Sequence, residues 1–531
     1  MARTATRKSA GQLPSNARIG VALAATALST LLILSGAFAV AAAADWNNKG
    51  GNAQRNGLTS ETGPTSATVA WSGARTSLIA WLPVIEGDDV FTVRQANWPG
   101  QVHDAYVVCM DLISGGERWA VELPADEGDW TPWIAGVRDG KVYASRSGNG
   151  ASVWAPMYCL DAQDGHTIWV SSIEQSGGPY DGCVFAPDGD LIVASFMDIW
   201  RFDAADGTVV WHASRVGSVS GSCGGALYGD ALYVADAVPG GNAIVCFDIE
   251  TGARRYQSET MSGFLIQNTP MCGADGTIYL ARTQNNPAVD YYYAFTDTGT
   301  ELVEKWHIPA GYSAFAEFAA GPDGSLYFIV PGPRLARIDR ETGEIVDQTD
   351  VLSGLSAAHV AVDAGGKVFF SNGGFASGRL TSYEADLTER WSVPVPNINI
   401  GGPAIGRYGT LVVCGTGSDM RAYRTQDPAD VGPSTDFAAG GIAMRAAPNP
   451  FAGATTIAYR LVRSSPVSLE VFAADGRRIA QLLSGEEQPA GDHALTWEGR
   501  DDAGRPVASG IYYLRLSGDG ELGRTRVLLA R

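Results

Sequence analysis

The stretch RFDAADGTVVW, residues 201–211, sets an Asp, three spacers, a Gly and, eight residues after the Asp, a Trp. The frame returns as MDLISGGERW at 110–119 and LDAQDGHTIW at 160–169, with Trp119 and Trp169 in the place of Trp211. FDIETGARRY at 247–256 puts Tyr256 there, and IDRETGEIVD at 338–347 puts Asp347 there. In all five the Gly follows the Asp by four residues. A fixed frame recurring along one chain marks a repeated structural unit.

A second recurring piece is a turn followed by an alternating strand. It reads EGDDVFTV (86–93), VRDGKVYAS (137–145), APDGDLIVA (186–194), LYGDALYVA (227–235), GADGTIYLA (273–281), GPDGSLYFI (321–329), DAGGKVFFS (363–371) and GRYGTLVVC (406–414). Each unit parses as four strands. Strand A leads into the Gly-containing hairpin turn, and strand B carries β-branched and aromatic residues. A variable loop leads to strand C, the Asp-x-x-x-Gly turn follows, and strand D carries the Trp. Four-stranded units repeated eight times predict an all-β fold, an eight-bladed β-propeller. After DMRAYRTQ (419–426) the last unit lacks a D strand, while TVAWSG (68–73) is a D strand with no blade before it. The amino-terminal strand around Trp71 therefore completes blade eight, and closure removes exposed sheet edges.

The G-H and W-D marks of WD40 repeats are missing. The D-x-x-x-G-x-x-x-W frame instead resembles the quinoprotein-type (PQQ-like) propeller repeat, and WNNKGGNAQRNGL (46–58) resembles the lead-in of that family. The resemblance covers about residues 46–426. After the linker TQDPADVGPSTDF (425–437) the pattern changes to APNPF (447–451), TTIAYRL (455–461), VSLEVFAADGRRI (467–479) and AGDHALTWEGRDDAGRPVASGIYYLRL (490–516). Short alternating strands with Asp-Gly turns predict a small Ig-like β-sandwich. These motifs resemble the Ig-like domain of flagellar hook-capping (FlgD) proteins and equally the C-terminal sorting domain of type IX secretion substrates, which implies secretion. The expected organisation is 1–44 signal peptide, 45–426 propeller, 427–441 linker and 442–531 sandwich.

Bulk properties narrow the function. Arg3, Arg7, Lys8 and Arg18 precede an uncharged run from Ile19 to Ala44. Ala42 and Ala44 fit an A-x-A cleavage site before Asp45, and a retained anchor is the alternative. The chain carries −19, and removal of residues 1–44 leaves −23. Residues 442–531 hold 11 Arg and 10 acidic residues, so the excess acidity lies in the ring. Such a surface repels nucleic acid and anionic lipid. Seven cysteines read as small buried hydrophobes on strands, with no haem-attachment or zinc-type spacing. Only five of the 38 basic residues are Lys.

Successive strands alternate direction, so the tight A–B and C–D turns share one face of the ring. The B–C loops and D-to-A links share the other, where function resides on a rigid scaffold. That face gathers Trp98 and His103 in QANWPGQVHDAY, Trp130 and Trp133 in DEGDWTPW, Trp154 in GNGASVW, and Tyr180, Tyr291 and Tyr312 in comparable positions. Aromatic rings beside carboxylates suit a glycan or peptide, while the default for any one such ring is to fill the tapering space between blades. The candidate ligand-binding set is Trp98, Trp130, Trp133, Trp154, Tyr180 and Tyr312.

The PQQ-like resemblance also implies a quinone-dependent dehydrogenase, with an axial cofactor against a Trp and a Ca²⁺ site. This chain lacks the adjacent cysteines of many such enzymes, and no Ca²⁺ or catalytic triad can be placed. No other common catalytic motif is present. The Asp-Gly turns lack the carboxylate ladder of a Ca²⁺ loop. The expectation is an exported, non-enzymatic binding or scaffold propeller with no cofactor, extracellular or on the outer-membrane surface. Its partner would be a glycan, peptide or protein, with secretion machinery engaged through the tail. The alternatives are a PQQ/Ca²⁺ dehydrogenase and a periplasmic scaffold like the propeller subunit BamB of outer-membrane assembly.

Overall fold

The computed structural model describes residues 45–530 except 78–80, 96–104, 127, 149–152, 179–181, 217–223, 262–268, 283–289, 312–317, 354–356, 374–377, 396–400, 416–417, 426–443, 448–450, 462–463, 474–476, 490 and 519–520. Ala44 of the expected cleavage site, Trp98, His103, Tyr180, Tyr312 and Cys223 lie outside the described residues.

Between residues 69 and 423 the strands form eight four-stranded antiparallel sheets arranged as a propeller. Seven run in simple chain order. Sheet one comprises Val84–Glu86, Asp89–Gln95, Ala105–Asp111 and Glu117–Glu122. Sheet two comprises Thr131–Arg138, Lys141–Ser147, Ala155–Asp161 and Thr167–Gln175. Sheets three to seven cover 184–214, 225–257, 271–310, 319–348 and 357–394. The eighth joins Ala404–Gly406, Thr410–Cys414 and Ser418–Tyr423 to Val69–Ser77 from the other end of the chain. The ring therefore closes as the unmatched Trp71 strand predicted, with Trp71 opposite Ala422. Each of the eight recurring A–B turns bends at a glycine of positive φ, from Gly87 to Gly409. An L side chain would be strained at those positions.

The repeat frame is the joint between neighbouring sheets. The Trp71 Nε1–H donates to the Leu112 carbonyl of sheet one at 2.9 Å. Trp119 reaches Ala162 of sheet two at 2.9 Å, Trp169 reaches Ala204 of sheet three at 3.2 Å, and Trp211 reaches Ile249 of sheet four at 2.8 Å. In every case the acceptor is the residue after the next frame's Asp. The Gly of that next frame lies under the indole. A Cβ on Gly115 would stand 2.5 Å from Trp71, and one on Gly252 would stand 2.5 Å from Trp211. The frame's Asp fixes its own turn, with Asp111 Oδ1 accepting the Ile113 and Ser114 N–H groups.

Variants of the frame keep the joint by other means. Tyr256 donates its hydroxyl to Asp297 of sheet five at 2.7 Å. Where Asp347 replaces the Trp, it pairs with Arg337 inside its own sheet, and the Tyr327 hydroxyl reaches Ala385 of sheet seven instead. Hydrophobic clusters fill the wedges between adjacent sheets. The one spanning sheets seven, eight and one holds Trp71, Ile85, Val90, Leu380, Ile405 and Tyr423.

Cys109, Cys159, Cys183, Cys246 and Cys272 are free thiols, and they and Cys414 are buried within this packing. Burial pushes the Cys246 thiol up to about 11 and Cys159 up to about 12, and raises Cys109, Cys183 and Cys272 further. A raised thiol is a poor nucleophile. Ellman's reagent at pH 8 is therefore expected to find at most one reactive thiol, Cys223, in the native protein and seven after denaturation. Rapid reaction of several native thiols would contradict this packing.

The lead-in WNNKGGNAQRNGL, whose place the sequence leaves open, crosses the inner strands. Ile85, Val137, Leu227, Cys272, Ala320 and Val362, one from each of six sheets, donate backbone N–H groups to the carbonyls of Trp46, Asn47, Ala53, Gln54, Asn56 and Gly57. Asn48 Nδ2 adds a bond to Cys183 of sheet three at 3.0 Å, and Arg55 Nε adds one to Gly225 at 2.7 Å. One short segment thus ties seven sheets together on the tight-turn side of the ring.

The tail is described by itself. A three-stranded sheet (Met444–Ala447, Thr455–Leu461, Gly491–Trp497) faces a four-stranded one ordered Arg478–Gln488, Ser465–Ala473, Gly510–Gly518, Glu521–Leu529. Phe451 of the NPF motif and Trp497 meet in its core, with ring centroids 5.5 Å apart.

Candidate functional site

Three of the six candidate rings are described, and all three belong to sheet two. Trp133 is a correction to the sequence reading. It lies within the first strand of that sheet, opposite Ser145, and is 0% exposed. It packs with Tyr143, Cys183 and Phe185 between sheets two and three. Trp133 is thus a packing residue and presents nothing to a ligand. Tyr291 lies on a strand of sheet five beside Tyr293 and His307, not in a loop.

Trp130 and Trp154 stand at the loop end of sheet two. The Trp130 N–H donates to Ser147 O at 2.8 Å, and Gln95 Nε2 donates to Trp130 O at 2.6 Å. Trp130 is half-buried. Trp154 is 43% exposed and leads directly into the third strand of the same sheet. The two indoles are therefore rooted two strands apart, about 10 Å at the usual strand spacing.

The link before Trp130 is fixed by charge. Arg146, buried on the second strand, pairs with the buried Asp129. Its other Nη meets Asp126 at 2.8 Å, and the Asp126 N–H returns to Asp129 Oδ2 at 2.7 Å. Burial works against the Arg146 charge, and the two carboxylates more than restore it, so its pKa is raised. Trp81 Nε1 donates to Thr131 Oγ1 at 3.0 Å and covers the link from sheet one. Asp126, in the link that leads to Trp130, remains 78% exposed. Sequence reading found the two Trp residues but missed the Arg146 clamp, because nothing in SRSGNG marks that Arg as buried. The arrangement offers flat apolar platforms and a carboxylate acceptor, the chemistry that holds a sugar, a peptide or a cation.

One group of metal-type ligands occurs among the described residues. Asp161, Asp164 and His166 have ligand atoms within 4.8 Å of one another. They lie on an exposed C–D turn, on the other face of the ring from Trp130 and Trp154, and the His166 and Asp164 side chains already pair at 2.6 Å.

Residues 103–349 match the family model for the outer membrane protein assembly factor BamB, and residues 449–521 match that for the FlgD Ig-like domain. The ring is built of PQQ-like repeats. No curated protein matches the chain. Among solved structures, the Dos1 propeller aligns at 9% identity and a TM-score of 0.50, over 67% of this chain and 94% of its own. BamB from Moraxella catarrhalis aligns at 14% identity and a TM-score of 0.46, over 67% and 97%. The quinohemoprotein alcohol dehydrogenase ADHIIG from Pseudomonas putida HK5 aligns at 13% and 0.48, over 75% and 83%. At these identities the likeness concerns the fold alone.

A quinone on the ring axis would need a ring to stack on and oxygen ligands for Ca²⁺. The Trp on the described inner strands, Trp133, is turned into the packing between sheets, and the lead-in already spans the inner strands at the tight-turn side.

Proposed function

We propose that the chain is an exported, non-enzymatic propeller that binds a glycan, peptide or protein at the loop end of sheet two, at the cell surface or after secretion. The Ig-like tail serves secretion or attachment. The observation that carries this reading is the Arg146 clamp. A buried ion pair is costly to assemble, and here it holds the link that sets a half-buried Trp130 two strands from an exposed Trp154. The FlgD-type match supports an accessory role for the tail. A second reading, a scaffold of outer-membrane assembly, is favoured by the BamB-type match.

Replacing both Trp130 and Trp154 by Ala is expected to weaken binding to an array-selected glycan or peptide at least about tenfold, the scale of an aromatic hot spot. The melting temperature should stay within a few degrees of wild type. Full retention of binding, or collapse of the ring, would rule the site out. Tight stoichiometric uptake of pyrroloquinoline quinone with Ca²⁺, with dye reduction by alcohols, would instead make the protein an oxidoreductase.

A further inference from the structure

The loop end of sheet two is short of cations. Between Arg118 and Arg201 the chain has three Lys or Arg residues, Arg138, Lys141 and Arg146. Arg138 and Lys141 flank the A–B turn at the opposite end of the sheet. Arg146 is thus the one Lys or Arg that sheet two and its incoming link place at the loop end, and its side chain is 4% exposed. Its two Nη atoms are taken by Asp129 and Asp126.

Other donors at this end are spent inward as well. Gln175 Nε2 donates to Ser145 Oγ at 3.1 Å, and Ser145 Oγ donates to Pro156 O at 2.8 Å. Both residues are fully buried. Acceptors are what face solvent. Asp126 stays exposed after its bond to Arg146. Glu174, on the fourth strand, is exposed and stands directly opposite Pro156. Trp154 lies two residues before Pro156. Ladder partners have Cα atoms about 4.5–5.5 Å apart and two strand residues span about 7 Å, which roots Glu174 within about 9 Å of Trp154.

The charge at this end does not cancel. Asp126, Asp129 and Glu174 against the single Arg146 leave two negative charges uncompensated. The face of an indole is the negative side of its quadrupole, so an exposed Trp adds to the attraction for a cation. A neutral glycan gains nothing from the uncompensated charge, and its hydroxyl acceptors would meet carboxylates.

We propose that the ligand of this site is a basic peptide segment. One Lys or Arg side chain lies on the Trp154 indole beside Glu174, and a second meets Asp126 at the Trp130 link. The roots of the two indoles are about 10 Å apart, the span of three residues of extended peptide. The inference rests on the binding reading above and narrows it to one ligand class.

Titration calorimetry of the full chain with pentalysine, its fully ε-acetylated counterpart and chitopentaose tests it. Pentalysine is expected to bind, and the acetylated peptide to bind at least about fivefold more weakly, the ratio expected from losing a cation–π contact. Raising the salt from about 50 to about 300 mM should weaken pentalysine, because its contacts are exposed charges. Trp154→Ala and Glu174→Gln alter exposed side chains, so the melting temperature should hold while each weakens pentalysine about threefold or more. Asp206→Asn removes an exposed carboxylate on the opposite face and should change nothing, which separates the site from general attraction to an acidic ring. Equal binding of the two peptides, no binding of pentalysine at low salt, or pentalysine binding indifferent to Trp154→Ala and Glu174→Gln would overturn the basic-peptide assignment. Chitopentaose binding that Trp154→Ala abolishes would overturn it too, while leaving the loop end of sheet two standing as the binding site.

Discussion

Replacing Trp71 by Ala is expected to unlatch the ring at its seam. Truncating a packed Trp costs about 3–5 kcal/mol, and this Trp lies on a strand joined to its sheet only by non-covalent pairing. The indole fills the cluster between sheets seven, eight and one, bonds Leu112 O, and covers Gly115. Residues 64–77 should then exchange amide hydrogens and admit protease well before the rest of the ring unfolds. Trp211→Ala, a joint inside the continuous chain, should lower stability by a similar amount without that local opening. Trp71→Phe keeps a ring on Gly115 and loses one hydrogen bond, about 1 kcal/mol. Gly115→Ala combines a positive φ of 70° with a Cβ 2.5 Å from the indole and should mimic Trp71→Ala. If Trp71→Ala leaves both the unfolding midpoint and the protection of residues 64–77 unchanged, the seam is not where the ring is held.

The ring was legible because each unit spells its joint in a few residues. Trp119, Trp169 and Trp211 mark the joint, and the positive-φ glycines mark the turns. Legibility failed where chemistry replaced a residue by a different kind. Sheet five carries the same joint, with Trp306 donating to Arg340 O at 2.9 Å, but its Asp297-x-Gly299 turn is shorter and does not fit the frame. Trp133 reads as part of the D-to-A link DEGDWTPW. A proline at the start of an inner strand is tolerated, and the strand begins at Thr131. The place of the polar lead-in is not legible in its sequence. Its Asn and Arg side chains are polar because they bond strand carbonyls in the interior, which no periodicity reveals.

The near-absence of Lys also acquires a physical account. On the tight-turn face one guanidinium repeatedly joins two turn carboxylates of a sheet. Arg118 meets Asp89 and Asp111, Arg255 meets Asp230 and Asp248, and Arg201 meets Asp188 and Asp190. A planar fork spans two acceptors where a single ammonium could not do so as well. Asp248 is held down to about 2, first by the Arg255 hydrogen bond. Much of the ring's acidity is therefore tied to its turns.

Deleting residues 45–58 while keeping the Trp71 strand is the more drastic experiment, because it separates closure from the central tie. The deletion removes the acceptors of six inner N–H groups, on Ile85, Val137, Leu227, Cys272, Ala320 and Val362. Each donor left dry would cost about 1–3 kcal/mol, and entering water would recover part of it. The side-chain bonds of Asn48, Arg55 and Asn56 to sheets three, four and five go as well. The expected product keeps its β-sheet circular dichroism, binds a hydrophobic dye and unfolds over a broad range rather than in one transition. A synthetic peptide of residues 45–58 added in trans should restore a sharp transition. The same peptide with Gly57→Val should fail, because Gly57 has a φ of 61° and a Cβ there would lie 2.8 Å from Ala319 Cβ and Val360 O. A sharp transition at the wild-type midpoint without the segment would show that the sheets hold one another unaided. Rescue by the native peptide alone would make the lead-in the keystone of a ring that Trp71 merely closes.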